Sequence, residues 1–452
     1  MNIRELILDI LLEIEKKSGY SHILMRDVLD KYDYLSGQEK AFIKRVTEGT
    51  LERRIQIDYV INSFSRIQVE KMKPLIRNLL RMSVYQILFM DSVPDSAVCN
   101  EAVKLAGKRK FQTLKGFVNG VLRNVARQKG QIAWPEEAKN PTEYLSVCYS
   151  MPAWLVEMWQ RDYGRERTGK LLAAFLEVRP VTIRMKETLP EKETKRLLQN
   201  MEELGTEVKR HACLSYAYEL FHVEGVKNLP GYEEGSFMVQ DVSSMLCVEA
   251  AGIRENDHIL DVCAAPGGKA THAAIKLRGS GEVLARDLTE EKTALIEENV
   301  LRQQLTNVRT ECYDASCLDE TQIETADILF ADVPCSGLGI IGKKRDIKYN
   351  VTPDVLCKLP PLQEKILDTV WRYVKPGGVL LYSTCTLHKE ENEEVAKWFL
   401  ENYPFEPVDM SDCLPDRITE DSVRNGYLQL FPGEYGTDGF FIAKFRRKGK
   451  AV

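Results

Sequence analysis

Two of the eleven cysteines stand where a thiol could do chemistry, in Asp332-Val333-Pro334-Cys335-Ser336-Gly337 and in Tyr382-Ser383-Thr384-Cys385-Thr386. A thiolate is the strongest nucleophile that side chains offer near neutral pH. Each cysteine follows a short apolar run, 326–330 and 378–382, that reads as a strand, and each loop is rich in Pro, Gly, Ser or Thr. The carboxyl ends of strands are the reactive edge of an open α/β sheet. If these two strands are neighbours, about 4.8 Å apart, both thiols can face one pocket. Cys99, Cys148, Cys213, Cys247, Cys312, Cys317, Cys357 and Cys413 lie outside such loops and read as small core hydrophobes.

A second constellation is Asp261-Val262-Cys263-Ala264-Ala265-Pro266-Gly267-Gly268-Lys269, after the apolar run 258–262. Its small residues let backbone N–H groups approach a ligand at a helix N-terminus. Asp287 closes the next strand, twenty residues after Gly267. A carboxylate at that distance and topological place can accept from a pair of ribose hydroxyls. The third glycine of a dinucleotide fingerprint is missing, and a glycine turn after a strand also serves as a plain tight connection.

Such groups need a scaffold to hold them. From about 237 onward, apolar strands at 258–262, 282–286, 307–310, 326–330 and 378–382 alternate with helices. This predicts a parallel, doubly wound sheet. Runs at 427–430 and 439–445, separated by a turn-rich stretch, predict a hairpin added at the sheet edge. Upstream, helices at 153–163, 167–176 and 193–204, a strand at 181–185 and strand-like pieces ending near 221–223 predict a small α/β domain. The first third reads as helix: Ile3, Leu6, Ile7, Ile10, Leu11 and Ile14 make one apolar stripe, and further helical runs fall at 36–50, 53–64, 73–89, 94–107 and 114–128. Short connections predict an all-α bundle. A proline-bearing linker spans 131–141, which sets expected domains at 1–132, 142–232 and 233–448.

The 452 residues accommodate about three domains. Hydrophobic residues at 44% and charged residues at 29% exclude wholesale disorder and fibrous organisation. No stretch approaches 18 consecutive apolar residues, and the start runs straight into a charged amphipathic pattern, so a cytoplasmic protein without a membrane partner is expected. There is no Cys-x-x-Cys pair and no His-x-x-x-His spacing, so neither a disulfide framework nor a metal site is expected. Residues 1–134 carry 23 Lys+Arg against 15 Asp+Glu, and the remainder 39 against 52. The first third is therefore positive, +8, and the rest −13. Between Lys104 and Lys129 stand eight basic residues and no acidic one. With Phe117, Val118, Val121, Leu122 and Val125 as the buried stripe, Arg123, Arg127 and Lys129 fall on or near an exposed edge that could face phosphate. Lys108, Arg109 and Lys110 belong to the same run.

Taken in order, Asp261 to Lys269, Asp332 to Gly339 and Ser383 to Thr386 resemble the motifs of the RNA cytosine-5 methyltransferases that use S-adenosylmethionine. The helical third resembles the NusB-type RNA-binding domain, and the combination resembles the bacterial enzymes that methylate 16S ribosomal RNA, so the resemblance covers essentially the whole chain. It implies a C-terminal Rossmann-like methyltransferase domain and a monomer whose partner is 16S ribosomal RNA, at or near cytosine 967. It implies that Cys263, Ala264, Ala265, Pro266, Gly267, Gly268 and Lys269 hold the methionine part of the cofactor, Asp287 its ribose and Asp314 its adenine side, while Asp332 borders cofactor and base. It further implies Cys385 as nucleophile and Cys335 as the residue that assists product release. The chain departs from the pattern at Ala270, where threonine is frequent, at Tyr313, where glycine is frequent, and at Gly342 and Tyr349, where arginine and tryptophan are common.

The chemistry is intelligible from the residues themselves. Carbon 5 of cytosine is a poor nucleophile until a thiolate adds at carbon 6 and makes it enamine-like. A carboxyl near N3, for which Asp332 is the candidate, could stabilise the protonated adduct before a base removes the carbon 5 proton. Spacing does not choose between the two cysteines, because DNA cytosine methyltransferases use the Pro-Cys thiol; the resemblance selects Cys385. A catalytically silent assembly factor is the alternative of another class, and the presence of both cysteines and of the carboxylates Asp287, Asp314 and Asp332 argues against it. Amino-group methylation would call for an Asn/Asp-Pro-Pro-aromatic loop, which Asp332-Val333-Pro334-Cys335 does not supply.

Overall fold

The computed structural model describes residues 2–17, 21–32, 34–223 and 225–449. They form two compact units, one of Met1–Glu177 with Ile341–Asn350, the other of Val178–Ile340 with Val351–Val452.

The first unit is helical. Helices Ile3–Lys17, Gly37–Glu52, Arg54–Phe64, Pro74–Phe89, Asp95–Lys108 and Lys115–Gln128 follow the apolar stripes of the sequence and bury Ile7, Ile10, Ile43, Val60, Leu79, Leu80, Val118 and Leu122 in one core. Ser36 starts the third helix with a capping box: its hydroxyl accepts the Glu39 N–H, and the Glu39 carboxylate accepts the Ser36 N–H at 2.9 Å. Ser21–Lys31 is an additional helix that no long apolar stripe marks. Helices Pro141–Cys148 and Ala153–Ala174 belong to this unit as well, so the α/β domain expected over 142–232 divides: its first helices group with the bundle, its strands with the second unit. Gly164, at φ +78°, breaks Ala153–Ala174 where two helices were expected.

The basic run is more tied down than its composition suggests. Lys108 Nζ bonds Glu5 at 2.6 Å, and Arg109 makes two bonds to Asp9, at 3.1 and 2.5 Å. Lys104, Lys115 and Arg123, with Asn100 and Asn119, line an open cavity of about 480 Å³, where Lys104 pairs with Glu101 at 2.8 Å and Arg123 donates to Asn119 at 3.0 Å.

Ile341–Asn350 belongs to the helical unit as a short segment in which Ile341, Asp346, Ile347 and Lys348 are buried. Lys348 Nζ donates to the carbonyls of Glu52 at 2.7 Å and Ser150 at 2.6 Å. Tyr349 Oη donates to Leu51 O, and the Arg54 guanidinium lies over its ring. Arg345 pairs with Glu48 and Glu52 at 2.9 and 2.8 Å. Tyr349, where the resembling family commonly has tryptophan, is thus engaged with helices of this unit.

In the second unit, strands β1 (Val181–Met185), β2 (Glu207–Arg210), β3 (Ala217–Phe221) and β4 (Phe237–Val239) make an antiparallel sheet in the order β2-β3-β1-β4, with helix Glu191–Glu203. The larger sheet contains β5 (His258–Asp261), β6 (Glu282–Asp287), β7 (Val308–Cys312), β8 (Ala326–Asp332), β9 (Val374–Thr384), β10 (Phe405–Pro407), β11 (Tyr427–Leu430) and β12 (Phe440–Arg447). Its order is β10-β12-β9-β8-β5-β6-β7, with β11 paired to β12. Strands β5 to β9 are parallel and β12 runs antiparallel to β9. The expected hairpin forms, but β12 sits inside the sheet because β10 takes the position beyond it. The chain reverses its direction of travel across the sheet between β5 and β8, the crevice where such folds bind ligands. Among the described residues, no helix is long and apolar enough to cross a membrane.

Candidate active site

The loop after β5 turns sharply at Gly267, whose φ is +98°. A side chain there would meet Ile296 at 3.2 Å as well as the strain of the left-handed conformation. Helix Gly268–Lys276 starts at this turn, so its free backbone N–H groups point toward the crevice. At the end of β6, Asp287 accepts the Ala265 N–H at 2.9 Å, the Leu288 N–H at 2.8 Å and Lys292 Nζ at 2.9 Å. Asp314 follows β7; the Ser316 backbone N–H at 2.8 Å holds its carboxyl below the usual carboxylate range.

Strands β8 and β9 are adjacent, with Asp332 in register with Ser383, and this places the two cysteine loops side by side. Cys335 Sγ lies 3.3 Å from Cys385 Sγ. Asp332 is held from two directions, by Lys269 Nζ at 2.6 Å and Ser383 Oγ at 2.8 Å. Burial works against the Lys269 charge, but Asp332, Cys247 and Asp261 together outweigh it and hold the ammonium above the ordinary lysine value. The Cys335 thiol is pushed well above the usual thiol range by its hydrogen bond with Cys385, by burial and by the nearby carboxylates of Glu391 and Asp332. Burial does the same to Cys263.

Two cavities meet at these residues. One, about 290 Å³, is lined by Cys263, Ala265, Asp287, Tyr313, Asp314, Asp332, Cys335 and Cys385. The other, about 240 Å³, is lined by Gln240, Asp261, Lys269, Asp332, Cys385, Asp438 and Phe440. Cys263, Ala265, Asp332 and Cys385 line both. A donor in the first cavity and an acceptor in the second would therefore meet across Asp332 and Cys385. A wider cleft of about 1120 Å³ contains neither of these cysteines nor any residue of the 263–269 loop.

Every residue singled out in the sequence for catalysis or cofactor contact thus lies along this crevice or in the turn that shapes it. Tyr313 lines the first cavity with the Arg286 guanidinium 4.5 Å above its ring. Cys312, Cys317 and Cys357, read as core residues, are exposed, because they lie in the last residue of a strand or in loops rather than on buried faces. Asp261 was missed as a site residue, although its place as the acidic end of a strand was a signal. It is 1% exposed, and neither oxygen has a hydrogen bond of ordinary geometry. Burial pushes its pKa up to about 7, which the nearby Lys269 charge offsets only in part.

The donor set suits S-adenosylmethionine: the unpartnered Asp261 carboxylate can take an ammonium group, and Asp287 and Asp314 offer acceptors in the first cavity. Glu187, Glu249 and His272 bring potential metal ligands within 4.8 Å of one another, but Lys276 Nζ already pairs both carboxylates, at 3.1 and 2.7 Å.

Residues 250–446 match the family described as 16S rRNA methyltransferase RsmB/F, and residues 1–127 match the NusB family. The chain is 35% identical over 451 residues to a protein of Bacillus subtilis named probable ribosomal RNA small subunit methyltransferase B, with 99% of each chain covered. It is 30% identical over 417 residues to the ribosomal RNA small subunit methyltransferase B of Escherichia coli, with 92% of each covered. Among solved structures, PH0851 shares the fold at TM-score 0.80 and 24% identity, covering 98% of this chain and 97% of its own. A methyltransferase homolog from Pyrococcus horikoshii matches at TM-score 0.57 and 25% identity, over 68% of this chain and 99% of its own. An N-terminal NusB unit, a small sheet and a Rossmann-like fold of the S-adenosylmethionine-dependent kind are the parts of this architecture. The chain belongs to the RsmB/F family of 16S rRNA methyltransferases.

Proposed function

We propose that this methyltransferase modifies carbon 5 of a cytosine in 16S ribosomal RNA, at the position equivalent to cytosine 967, through a covalent bond between Cys385 and carbon 6. The observation that carries this reading is the meeting of the two cavities at Asp332 and Cys385, with a second thiol 3.3 Å from the first.

S-adenosylmethionine supplies the methyl group. The 290 Å³ cavity, with Asp287 and Asp314, holds its nucleoside side; the 263–269 turn and Asp261 hold its methionine side. The target cytosine enters the 240 Å³ cavity against Phe440. Cys385 Sγ adds to carbon 6, and the electron pair of the ring double bond shifts so that carbon 5 becomes nucleophilic. Asp332, fixed by Lys269 and Ser383, accepts hydrogen bonds from the ring's amino edge and its protonated N3. After methyl transfer a base takes the carbon 5 proton, the ring double bond re-forms, and the carbon 6–sulfur bond breaks with its electrons returning to Cys385. Cys335, as a protonated thiol, stands ready to donate a hydrogen bond to the departing sulfur.

Within the helical unit, the bundle over about 1–132 serves as an RNA-binding domain; the segment 142–232 adds further RNA contacts, and 233–448, apart from Ile341–Asn350, carries out the transfer. The protein acts as a cytoplasmic monomer. Bisulfite sequencing of small-subunit RNA from a deletion strain, with and without complementation, tests the reading. One unprotected cytosine that regains protection on complementation is expected; an unchanged pattern overturns it.

A further inference from the structure

The two sulfur atoms are brought together by a buried network behind them. Glu391 is 0% exposed. Its carboxylate accepts the Ser336 backbone N–H at 2.9 Å, the Ser336 hydroxyl at 2.5 Å and Gln363 Nε2 at 3.0 Å. Gln363 Nε2 also donates to Pro334 O at 3.0 Å, so both residues flanking Cys335 are tied to one pair of side chains. On the other loop, Ser336 Oγ lies 2.6 Å from Thr386 Oγ1, next to Cys385. Nothing in the methyl-transfer steps requires a buried carboxylate at this position.

An acidic side chain without exposure is costly unless its oxygens are hydrogen-bonded. Here its donors are the residues that set the cysteine turn. Replacing it by a small apolar side chain would leave the Ser336 N–H without its acceptor and Gln363 Nε2 with Pro334 O alone, a situation a buried loop relieves by moving. A movement of the Cys335 turn changes the 3.3 Å sulfur separation directly, whereas Cys385 keeps its own attachment: Asn392 Nδ2 holds Thr386 O at 3.1 Å, and Thr384 Oγ1 donates to Asn392 Oδ1.

We infer that Glu391 is a positioning residue for product release, holding the Pro334-Cys335-Ser336 turn so that the Cys335 thiol stays within hydrogen-bond reach of Cys385. The inference rests on the covalent reading above and names the group that makes its release step work. Glu391→Ala lets the Cys335 turn drift, so Cys385 departs from carbon 6 without its donor. Glu391→Gln retains the shape and one acceptor oxygen for the Ser336 N–H and Gln363, while its NH2 can donate to Ser336 Oγ, whose proton turns to Thr386 Oγ1, and so holds the turn.

The test uses the full chain with S-adenosylmethionine and substrate RNA, with covalent protein–RNA complex read on denaturing gels. Glu391→Ala should accumulate complex several-fold over the parent and lose kcat with KM for RNA retained, while S-adenosylhomocysteine affinity stays unchanged. Glu391→Gln should restore release. Ser336→Ala, which removes one of the same contacts, should shift in the direction of Glu391→Ala and serves if that variant does not fold. Cys335→Ala is the control. Complex from Cys335→Ala but none above parent level from folded Glu391→Ala or from Ser336→Ala overturns the inference alone. A parallel loss of cofactor affinity and thermal stability in Glu391→Ala, unrelieved in Glu391→Gln, overturns it in favour of a general structural role. No complex from any variant, Cys335→Ala included, overturns the covalent reading and the inference with it.

Discussion

Cys335 Sγ and Cys385 Sγ lie 3.3 Å apart although fifty residues separate them in the chain, because β8 and β9 are hydrogen-bonded neighbours that end together. The pair is unequal in its surroundings, Cys335 being held protonated by Cys385, burial and two carboxylates. Cys385→Ala should therefore abolish methylation without forming a stable RNA complex, whereas Cys335→Ala should trap one. Denaturing gels with cofactor and RNA read the outcome. The reverse pattern would assign the nucleophile to the Pro-Cys loop.

Asp287 links the cofactor loop to the end of β6 through the Ala265 N–H and also pairs with Lys292. Its removal deletes acceptors from the 290 Å³ cavity and frees the loop at the same time. The expected loss in S-adenosylhomocysteine affinity for Asp287→Ala is about 1.5–3 kcal/mol, or roughly 10- to 150-fold. Calorimetry on the folded variant checks it; an unchanged dissociation constant would move the cofactor elsewhere.

For RNA, the cations to replace are Lys104, Lys115 and Arg123, which line one open cavity of the helical unit, Lys104 being held by an exposed pair with Glu101 on its own helix, rather than Lys108 and Arg109, which are tied to Glu5 and Asp9 of another helix. Each phosphate contact contributes about −0.7 to −0.9 to the slope of log affinity against log salt. The triple Gln variant should weaken RNA binding and flatten that slope by up to roughly two units. Lys108→Gln with Arg109→Gln should flatten it less. Filter binding over a salt series gives both slopes, and equal effects would show that the ion pairs with Glu5 and Asp9 open on binding.

Lys348 provides a pH signature of the helical unit. Burial lowers its pKa to about 7, whereas an exposed lysine in an unfolded chain holds its proton to about 10.4. Between those values the unfolded chain binds the additional proton, so stability rises as pH increases from about 7 toward 10. Lys348→Met should remove this rise. Urea midpoints of the full chain at pH 7, 8 and 9, compared between parent and variant, decide the matter; identical slopes would place the titration on another group.

The parallel strands were legible in the sequence because most are short apolar runs, several closed by an acidic residue, as in His258–Asp261 before the 263–269 turn. The cysteine pair was legible for the same reason: both residues follow such runs. Phe237–Val239 and Phe405–Pro407 were not, since three-residue strands carry no periodicity and exist only through their partners, β1 and β12. Asp261 could be seen as a strand end but not as an orphan, because that depends on which donors fail to reach it. Glu391 was invisible for a related reason. It stands in the acidic stretch Glu390-Glu391-Asn392-Glu393-Glu394, where only folding separates the one buried carboxylate from its exposed or partly exposed neighbours.

The place of Ile341–Asn350 within the helical unit has a consequence for synthesis. The bundle emerges first from the ribosome, yet the carbonyls of Leu51, Glu52 and Ser150 receive side-chain donors from Lys348 and Tyr349, far downstream. At about 5–20 residues per second, the interval between the end of Glu177 and the arrival of this segment is on the order of ten seconds or more. During that interval strands β5 to β8 are made. The N-terminal unit therefore reaches its final packing only after strands β5 to β8 of the parallel sheet have been translated, so its completion overlaps the synthesis of the second unit instead of preceding it.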